Sequence, residues 1–296
     1  MKPDYLDGLD KALAGGVSNL SKAFGRARGE YVRSRQCDDG GFRGRRGGSD
    51  IYYTDLALRT LALVEPRSDA FHRAAGFVAN LQGGPKDIVE CFSRLNSVRL
   101  LRAAGEDLPG GPPDCRPRVD ARQAGTYDLF LGALCCRMLA EPFPETEEAV
   151  QRVRSCGCPD GGFGQTVGGT GQTNATAAAV GVLAMADALT TEDAGRAAEF
   201  LAAMQTPTGG LAAHEGAPEP DLLSTFTALV TLSVLDRLEQ INLPAVGRFV
   251  RAMAGPDGGF RACRSDPETD VEYSYYGLGT AALLRHLVTA HLGPSL

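Results

Sequence analysis

The sequence has no Trp and no excess of positive charge. Its 30 Lys and Arg residues are outnumbered by 36 Asp and Glu residues, which gives a formal net charge of -6 and a pI near 5.3. This composition offers neither a basic field that attracts a phosphate backbone nor the indole rings on which bases stack. Nucleic acid is therefore not an expected partner.

Long apolar runs are missing as well. Residues 1–10 contain acidic side chains and no hydrophobic stretch typical of a secretory signal, and no later segment approaches the length of a membrane span. We therefore expect a cytoplasmic protein without a transmembrane segment. In that compartment the eight Cys are expected to stay reduced. Cys156 and Cys158 are closer together than the usual half of a zinc site, which favours packed thiols over metal ligands.

A short phrase with two glycines followed by Phe or Leu organises the chain. Its four copies are Gln36–Phe42, Cys158–Phe163, Gln205–Leu211 and Gly255–Phe260. The last three recur about every 48 residues, and each lies between two stretches with helical periodicity. Pro and Asp favour a turn, and paired Gly permits positive φ where the chain reverses. The repeating unit is predicted to be helix, tight turn, helix.

The fold expected from these repeats is all-α. No segment alternates apolar and polar residues as a strand does, so almost no sheet is expected. Stacked helical hairpins form an open solenoid or a closed ring, and the more apolar second helix of each pair, as in 176–186, favours a ring. We predict one (α/α)6 toroid over 1–296, with an N-terminal helix over 5–25. Its turns are expected near residues 40, 83, 111, 161, 209 and 258.

At these phrases the sequence resembles the prenyltransferase and squalene-cyclase repeat family. Residues 150–284 look most like the β-subunits of the Rab geranylgeranyltransferase type. The resemblance implies a toroid that binds an isoprenoid or prenyl diphosphate in a central apolar barrel, with an α-subunit-like helical protein as a possible partner. It also implies a zinc ion held by Asp, Cys and His, which ionises an acceptor cysteine.

The zinc ligands that the resemblance implies are mostly replaced in this chain. Asp221 matches the family's Asp, but Leu223 stands where the Cys is expected and Tyr273 where the His is expected. Leu cannot ligate zinc, and a single carboxylate would not retain the ion. Asp221 is thus the only retained metal ligand, and the zinc site is expected to be degenerate.

The diphosphate-binding positions that the resemblance implies are altered too. The family's His falls on Gln172, its Arg near His214, its Lys at 216–217 and its Tyr on Ser224. A rebuilt site is one alternative, because Asp221, Asp270, Glu272 and His214 offer ligands that suit magnesium better than zinc. Candidate catalytic residues are therefore Asp221, Asp270, Glu272 and Tyr273.

Arginines near the first and last phrases form a second candidate site. If the ring closes, these side chains become neighbours and could bind a diphosphate bidentately; otherwise they are solvated surface residues. They are Arg43, Arg45, Arg46, Arg261 and Arg264.

Tyrosines and acids on the second helices complete the candidates. Tyr52, Tyr53 and Tyr276 are expected to contact substrate, while Asp50, Asp55, Asp87, Glu90 and Asp128 either make the interior acidic or cap helix N-termini. The Asp-x-Asp-Asp acid of triterpene cyclases does not occur in the sequence.

Three functions remain open at this point. The first is a prenyltransferase β-subunit-like protein with a degenerate zinc site. The second is a non-catalytic lipid-binding or scaffold protein, and the third is an enzyme like a terpene cyclase, in which a buried acid protonates an isoprenoid.

Overall fold

The computed structural model describes residues 5–108, 115 and 119–292. Within these residues the regular secondary structure is almost wholly helical, as predicted. The helices are α1 (Tyr5–Val17), α2 (Lys22–Arg33), α3 (Ile51–Val64), α4 (Ala70–Ala79), α5 (Ile88–Ala103), α6 (Thr126–Met138), α7 (Thr146–Ser155), α8 (Thr173–Met185), α9 (Thr191–Ala203), α10 (Leu222–Val234), α11 (Leu243–Met253) and α12 (Val271–Leu292). A short 3₁₀ helix, Leu238–Gln240, and a two-stranded antiparallel ribbon, β1 (Phe260–Arg261) and β2 (Thr269–Asp270), complete the set.

The N-terminal segment differs from the single helix predicted over 5–25. Helix α1 ends at Val17 and α2 begins at Lys22. The Ser18 hydroxyl donates to the carbonyl of Gly15 over 2.7 Å, and the Ser21 hydroxyl accepts the Phe24 amide at 3.2 Å as the N-cap of α2. Such local side-chain bonds compete with a continuous helix, and they divide this one.

In the described part of the chain, the turn phrases and Gly83 lie in five helix–turn–helix units, which we call hairpins. These units join α2 to α3, α4 to α5, α7 to α8, α9 to α10, and α11 to α12 in sequence. Between α5 and α6 the structure describes residues 104–108, 115 and 119–125, and no helix lies in these described residues. The turn predicted near residue 111 lies outside the described residues.

Each of the four complete phrases is tied to its second helix by the same hydrogen bond. The amide of the closing Phe or Leu donates to a hydroxyl in the first turn of that helix, and the Phe or Leu side chain is buried. The pairs are Phe42 with Thr54, Phe163 with Thr176, Leu211 with Thr225, and Phe260 with Ser274, at 2.9 to 3.0 Å.

The glycines of the phrases allow neighbouring hairpins to approach closely. Gly40 has φ +91°, and a side chain there would collide with the carbonyl of Arg73 on α4. Gly258 has φ +94°, and a side chain there would collide with the carbonyl of Ala27 on α2. Both positions need Gly for conformation and for space. The second contact also shows that the last hairpin packs against the first.

The chain divides into two compact units. The first comprises 1–82, 96–111 and 247–296, and the second comprises 83–95 and 112–246. In the first unit α12 packs on α1, α2 and α3, with Gly16 of α1 against the backbone of Ala282. In the second unit α8 packs on α6, α7, α9 and α10 around an apolar core that includes Leu129, Phe163 and Leu183.

The described helices include no candidate membrane span. None of them is both long enough and apolar enough to cross a bilayer.

Candidate functional site

The start of α12, in the first unit, is tied to the loop before α3 by charged side chains. Asp270 is only 4% exposed and caps α12, accepting the Glu272 amide on Oδ1 at 2.8 Å. Arg45 donates from Nε to Asp270 Oδ2 over 3.1 Å and from Nη1 to Asp266 Oδ1 over 3.0 Å. Its Nη2 atom also pairs with Asp266. The first and last hairpins thus meet at an Arg with two carboxylates.

Tyrosine side chains from α3 and α12 surround the same place. The Tyr52 hydroxyl donates to Glu272 Oε1 over 2.6 Å. The Tyr52 and Tyr53 rings meet edge to face with centroids 5.4 Å apart, as do those of Tyr273 and Tyr276 at 6.2 Å. We call this group the tyrosine–carboxylate cluster. Its members are Arg45, Tyr52, Tyr53, Asp266, Asp270, Glu272, Tyr273 and Tyr276.

The pKa values of the carboxyl groups in this cluster are shifted in different directions by the balance of burial and hydrogen bonding. Burial raises the pKa of Asp270 and of Glu272 above their ordinary values. It acts in the same direction on Asp266, but there hydrogen bonds from Arg45 and from backbone amides bring the pKa below its ordinary value. Burial also raises the pKa of the Tyr53 phenol, and Asp270 and Glu272 add to the effect. The cluster therefore holds protons more tightly at Glu272 and Asp270 than at Asp266.

A buried ion-pair network lies in the same unit. Asp55 on α3 is 1% exposed and pairs with Arg59 one helical turn later. Asn96 donates to Asp55 Oδ1 over 2.6 Å and accepts on Oδ1 from Arg99 Nε at 2.9 Å. Arg99 in turn donates to Asp10 Oδ2 of α1 over 2.8 Å. Three helices, α1, α3 and α5, are thereby connected through polar side chains, of which Asp55 and Asn96 are buried while Arg99 and Asp10 are partly exposed.

The network reaches the tyrosine–carboxylate cluster through Tyr275. This residue is 3% exposed, the Arg59 guanidinium lies 5.4 Å from its ring centroid, and burial raises its pKa. Its ring is 5.6 Å from that of Tyr276. Burial also raises the pKa of Tyr5 to about 12. Of this network, sequence analysis named Asp55; the spacing of Asp55 and Arg59, four residues apart on an apolar helix, is a signal that could have identified the pair.

Asp221, in the second unit, is an N-cap. Its Oδ1 accepts the Ser224 amide at 2.8 Å and its Oδ2 accepts the Ser224 hydroxyl at 2.7 Å. Burial raises its pKa. The position expected to hold a thiolate, Leu223, lies in the first turn of α10. A carboxylate with both oxygens engaged and an apolar neighbour does not suit a zinc ion.

The other residues considered for metal or diphosphate binding are placed apart from this cap. Gln172 is the N-cap residue of α8 without a side-chain capping bond. His214 is exposed in the loop before α10, with Nδ1 2.8 Å from the carbonyl of Glu215. Cys156 and Cys158 are buried free thiols, as the packed-thiol interpretation predicts. Over the described part of the chain, no three His, Cys, Asp or Glu side chains are grouped to hold a metal ion.

The arginine site expected at the first and last phrases is realised only in part. Arg45 lies in the cluster, but Asp266 occupies the paired donors with which it would grip a diphosphate. Arg46 has an 89% exposed side chain and lies 3.5 Å from Glu268. Arg43 and Arg264 are exposed, and Arg261 on β1 is half-buried. Arg43, Arg46 and Arg264 fit the solvated-surface alternative better, whereas Arg261 fits neither alternative fully.

The acids predicted on the second helices divide between capping and burial. Asp50 accepts the Tyr52 amide at 2.7 Å as the N-cap of α3, and Asp87 accepts the Glu90 amide at 2.8 Å before α5. Asp128 lies in the first turn of α6. Asp55 alone among them is a buried member of a polar network.

The sequence matches the family model of the prenyltransferase alpha-alpha toroid domain over residues 16–212 and 185–293. The chain belongs to this family. The toroid fold predicted from the repeats is thereby confirmed. No curated protein matches the sequence.

Solved structures with the same fold include a protein prenyltransferase and a terpene cyclase. A Candida albicans protein geranylgeranyltransferase-I complexed with GGPP is 12% identical, with a TM-score of 0.69, covering 88% of this chain and 91% of that one. The type II terpene cyclase MstE from Scytonema, in complex with geranylgeranyl dihydroxybenzoate, is 15% identical, with a TM-score of 0.55 and coverages of 94% and 98%. A protein from Actinoplanes is 16% identical, with a TM-score of 0.56 and coverages of 91% and 99%. At these identities the likeness concerns the fold.

Proposed function

We propose that this toroid protein binds an isoprenoid and that the tyrosine–carboxylate cluster contacts the functional end of the bound chain. The observation that carries this proposal is the assembly of four tyrosine rings near Glu272 by the first turn of α3 and the first two turns of α12. Tyr273, at the position where the family resemblance places a zinc ligand, belongs to that assembly. Phenol rings offer an alkene apolar faces, and their hydroxyls bind a polar end.

The ligands of the solved relatives guide the choice of a first probe. The Candida enzyme was solved with GGPP and the Scytonema cyclase with geranylgeranyl dihydroxybenzoate. Both ligands carry a geranylgeranyl chain, so a C20 isoprenoid is the natural probe for this protein. An α-subunit-like helical partner and a cytoplasmic location belong to the same proposal.

The proposed binding does not depend on zinc. Asp221 uses both carboxylate oxygens to cap α10, Leu223 has no ligand atom, and Tyr273 packs its ring on Tyr276. A structural or catalytic zinc needs several N or S ligands in tetrahedral arrangement. Asp221, Leu223 and Tyr273 supply neither an imidazole nitrogen nor a thiolate sulfur.

A second candidate function is isoprenoid cyclisation started by a proton. Burial raises the pKa of Glu272, which favours its protonated form more than at an exposed Glu. In this reaction Glu272 gives its proton to a terminal alkene carbon. The π electrons form the new C–H bond, a carbocation remains on the other carbon, and the tyrosine faces stabilise it. Product analysis after incubation with C20 isoprenoids tests this function, and loss of all product in Glu272→Gln is the expected result.

Native mass spectrometry tests the binding proposal. Purified protein is measured alone, with geranylgeraniol and with GGPP, each with and without added zinc. One lipid per chain, retained to the same extent without zinc, is the expected result. If neither lipid is retained, the proposed function is wrong. If lipid is retained only together with one zinc ion, zinc independence is wrong and a transferase is the better model.

A further inference from the structure

The tyrosine–carboxylate cluster carries an excess of negative charge. Asp266, Asp270 and Glu272 face one guanidinium within it, that of Arg45. Two charges just outside also act on it: Arg35 on Asp270, and Asp50 on Tyr53. The sum is four carboxylates against two guanidinium groups. Arg46 and Glu268 add a pair of opposite charges at the exposed edge.

Three side chains of the cluster, Arg45, Tyr52 and Tyr276, already direct hydrogen bonds at carboxylates. Arg45 donates to Asp266 through both terminal nitrogens and to Asp270 through Nε. The Tyr52 hydroxyl donates to Glu272, and the Tyr276 hydroxyl hydrogen-bonds to the same carboxylate. A diphosphate, which is rich in acceptors and strongly negative, would have to take these donors from the carboxylates and lie beside them.

A cation meets the opposite conditions in this place. Glu272 supplies a half-buried carboxylate, and the rings of Tyr52, Tyr53, Tyr273 and Tyr276 stand around it. The Arg45 guanidinium already lies 5.9 Å from the Tyr273 ring centroid, so this ring accepts a cation over its face. Carboxylates and aromatic faces together are the usual recognition surface for an organic ammonium ion.

From this charge balance we infer that the protein selects an isoprenoid whose head group is cationic or uncharged, and discriminates against a diphosphate. The inference rests on the proposed isoprenoid binding and names its substrate class. An ammonium head is expected to bind most tightly, an alcohol next and a diphosphate least. The head group then contacts Glu272 and the tyrosine rings, while the hydrocarbon chain supplies affinity common to all three ligands.

A series of ligands with one shared chain tests the inference. Geranylgeranylamine, geranylgeraniol and GGPP are titrated into the wild-type protein at neutral pH and 0.15 M salt, and the dissociation constants are compared. We expect the amine to bind about 10-fold or more tightly than GGPP, because charges a few ångströms apart interact strongly at a half-buried site. If GGPP binds as tightly as the amine or more so, the inference is wrong while isoprenoid binding stands. If none of the three binds, the proposed function itself fails.

Two matched variants locate the selectivity. Glu272→Gln keeps the size of the side chain and an acceptor for Tyr52 but removes one negative charge. It is expected to weaken amine binding about 10-fold and to leave alcohol binding within about 2-fold. Glu268→Gln, at the exposed Arg46 pair, is the control and should leave all three constants unchanged. Equal amine affinities in wild type and Glu272→Gln would overturn the assignment of the head group to this cluster. If the variant does not fold, the three dissociation constants of the wild-type protein still test the inferred head-group selectivity.

Discussion

Helices α10 and α12 begin in the same way and yet present different chemistry. Asp221 caps α10 and Asp270 precedes α12 with a bond to the Glu272 amide, and a hydroxyl four residues later, Thr225 or Ser274, accepts the amide of the preceding phrase. The frame of the repeat is thus conserved between the two helices. It fixes the position of the following side chains without determining what they do.

The difference lies in the residues that follow each Asp. After Asp221 come Leu222 and Leu223, and the carboxylate is satisfied by Ser224 of its own helix. After Asp270, Glu272 begins a set of acidic and phenolic side chains, and the carboxylate is paired with Arg45 of the first hairpin. A retained Asp is therefore poor evidence for a retained active site. It is the partner of the carboxylate that separates a cap from a functional cluster.

The largest expected effect is a loss of stability on breaking the ion-pair network of Asp55, which adjoins the tyrosine–carboxylate cluster. Asp55→Ala leaves the Arg59 and Asn96 groups buried without their carboxylate and should lower the free energy of unfolding by about 3 to 5 kcal/mol. Chemical denaturation followed by circular dichroism measures it. Glu268→Ala removes an exposed ion pair and should cost about 0 to 1 kcal/mol. Equal losses in the two variants would contradict the structural importance of the network.

The shared frame predicts equal losses at the two equivalent hydroxyls. Thr225→Val and Ser274→Ala each remove the acceptor of a buried phrase amide, so each should lower the free energy of unfolding by about 1 to 3 kcal/mol. Denaturant titration of both variants sharpens the comparison. A loss confined to one of them would show that the two helix starts are not held in the same way.

Removing the two Asp residues should separate stability from binding. Asp221→Ala should cost about 1 kcal/mol of stability through loss of a cap, with no change in isoprenoid affinity. Asp270→Ala removes a cap and also the partner of Arg45, so it should alter head-group selectivity as well. Affinities for geranylgeranylamine, measured for both variants, test this. If the affinity changed in Asp221→Ala and not in Asp270→Ala, the binding site would have to be assigned to the start of α10 instead of the start of α12.

The smallest expected effect is a dependence of stability on pH. Burial raises the pKa of Glu272 in the folded state, so its ionisation opposes folding at neutral pH. The opposition is relieved as the pH falls through the raised folded value, and it is gone below the unfolded value near 4.5. The free energy of unfolding of Glu272→Gln minus that of the wild type should therefore be positive at pH 7 and shrink towards pH 4.5. A difference that grows on acidification would contradict this direction.

The hairpins could be predicted from sequence because their signals are local. A turn phrase, helical periodicity on either side and a period of about 48 residues are all contained in short windows. The break between α1 and α2 was missed, although Ser18 and Ser21 carry the capping signal for it. Weak local signals of this kind are easily overridden by an apolar pattern that continues across them.

The candidate site was harder to predict because its contacts are distant in sequence. Arg45 and Asp270 were both named, but the pairing of Arg45 with Asp266, 221 residues away, carries no local mark. The same holds for Asn96 and Asp55 on different helices. Arg45 and Asp266 come together only because the first hairpin packs on the last. In that arrangement the Arg45 guanidinium, which was expected to bind a diphosphate, is paired with Asp266 instead.

Tyrosine fluorescence tests the central claim most directly. The chain has no Trp and eight Tyr. All of the Tyr residues except Tyr127 lie in the first unit, so the tyrosine emission comes mainly from the unit that contains the proposed site. Titration with geranylgeraniol should give a saturable change that ends at one equivalent, persists in Tyr127→Phe and is reduced in Tyr276→Phe. Lipid retained in native mass spectrometry without any such change in emission would place the isoprenoid away from the cluster and contradict the account.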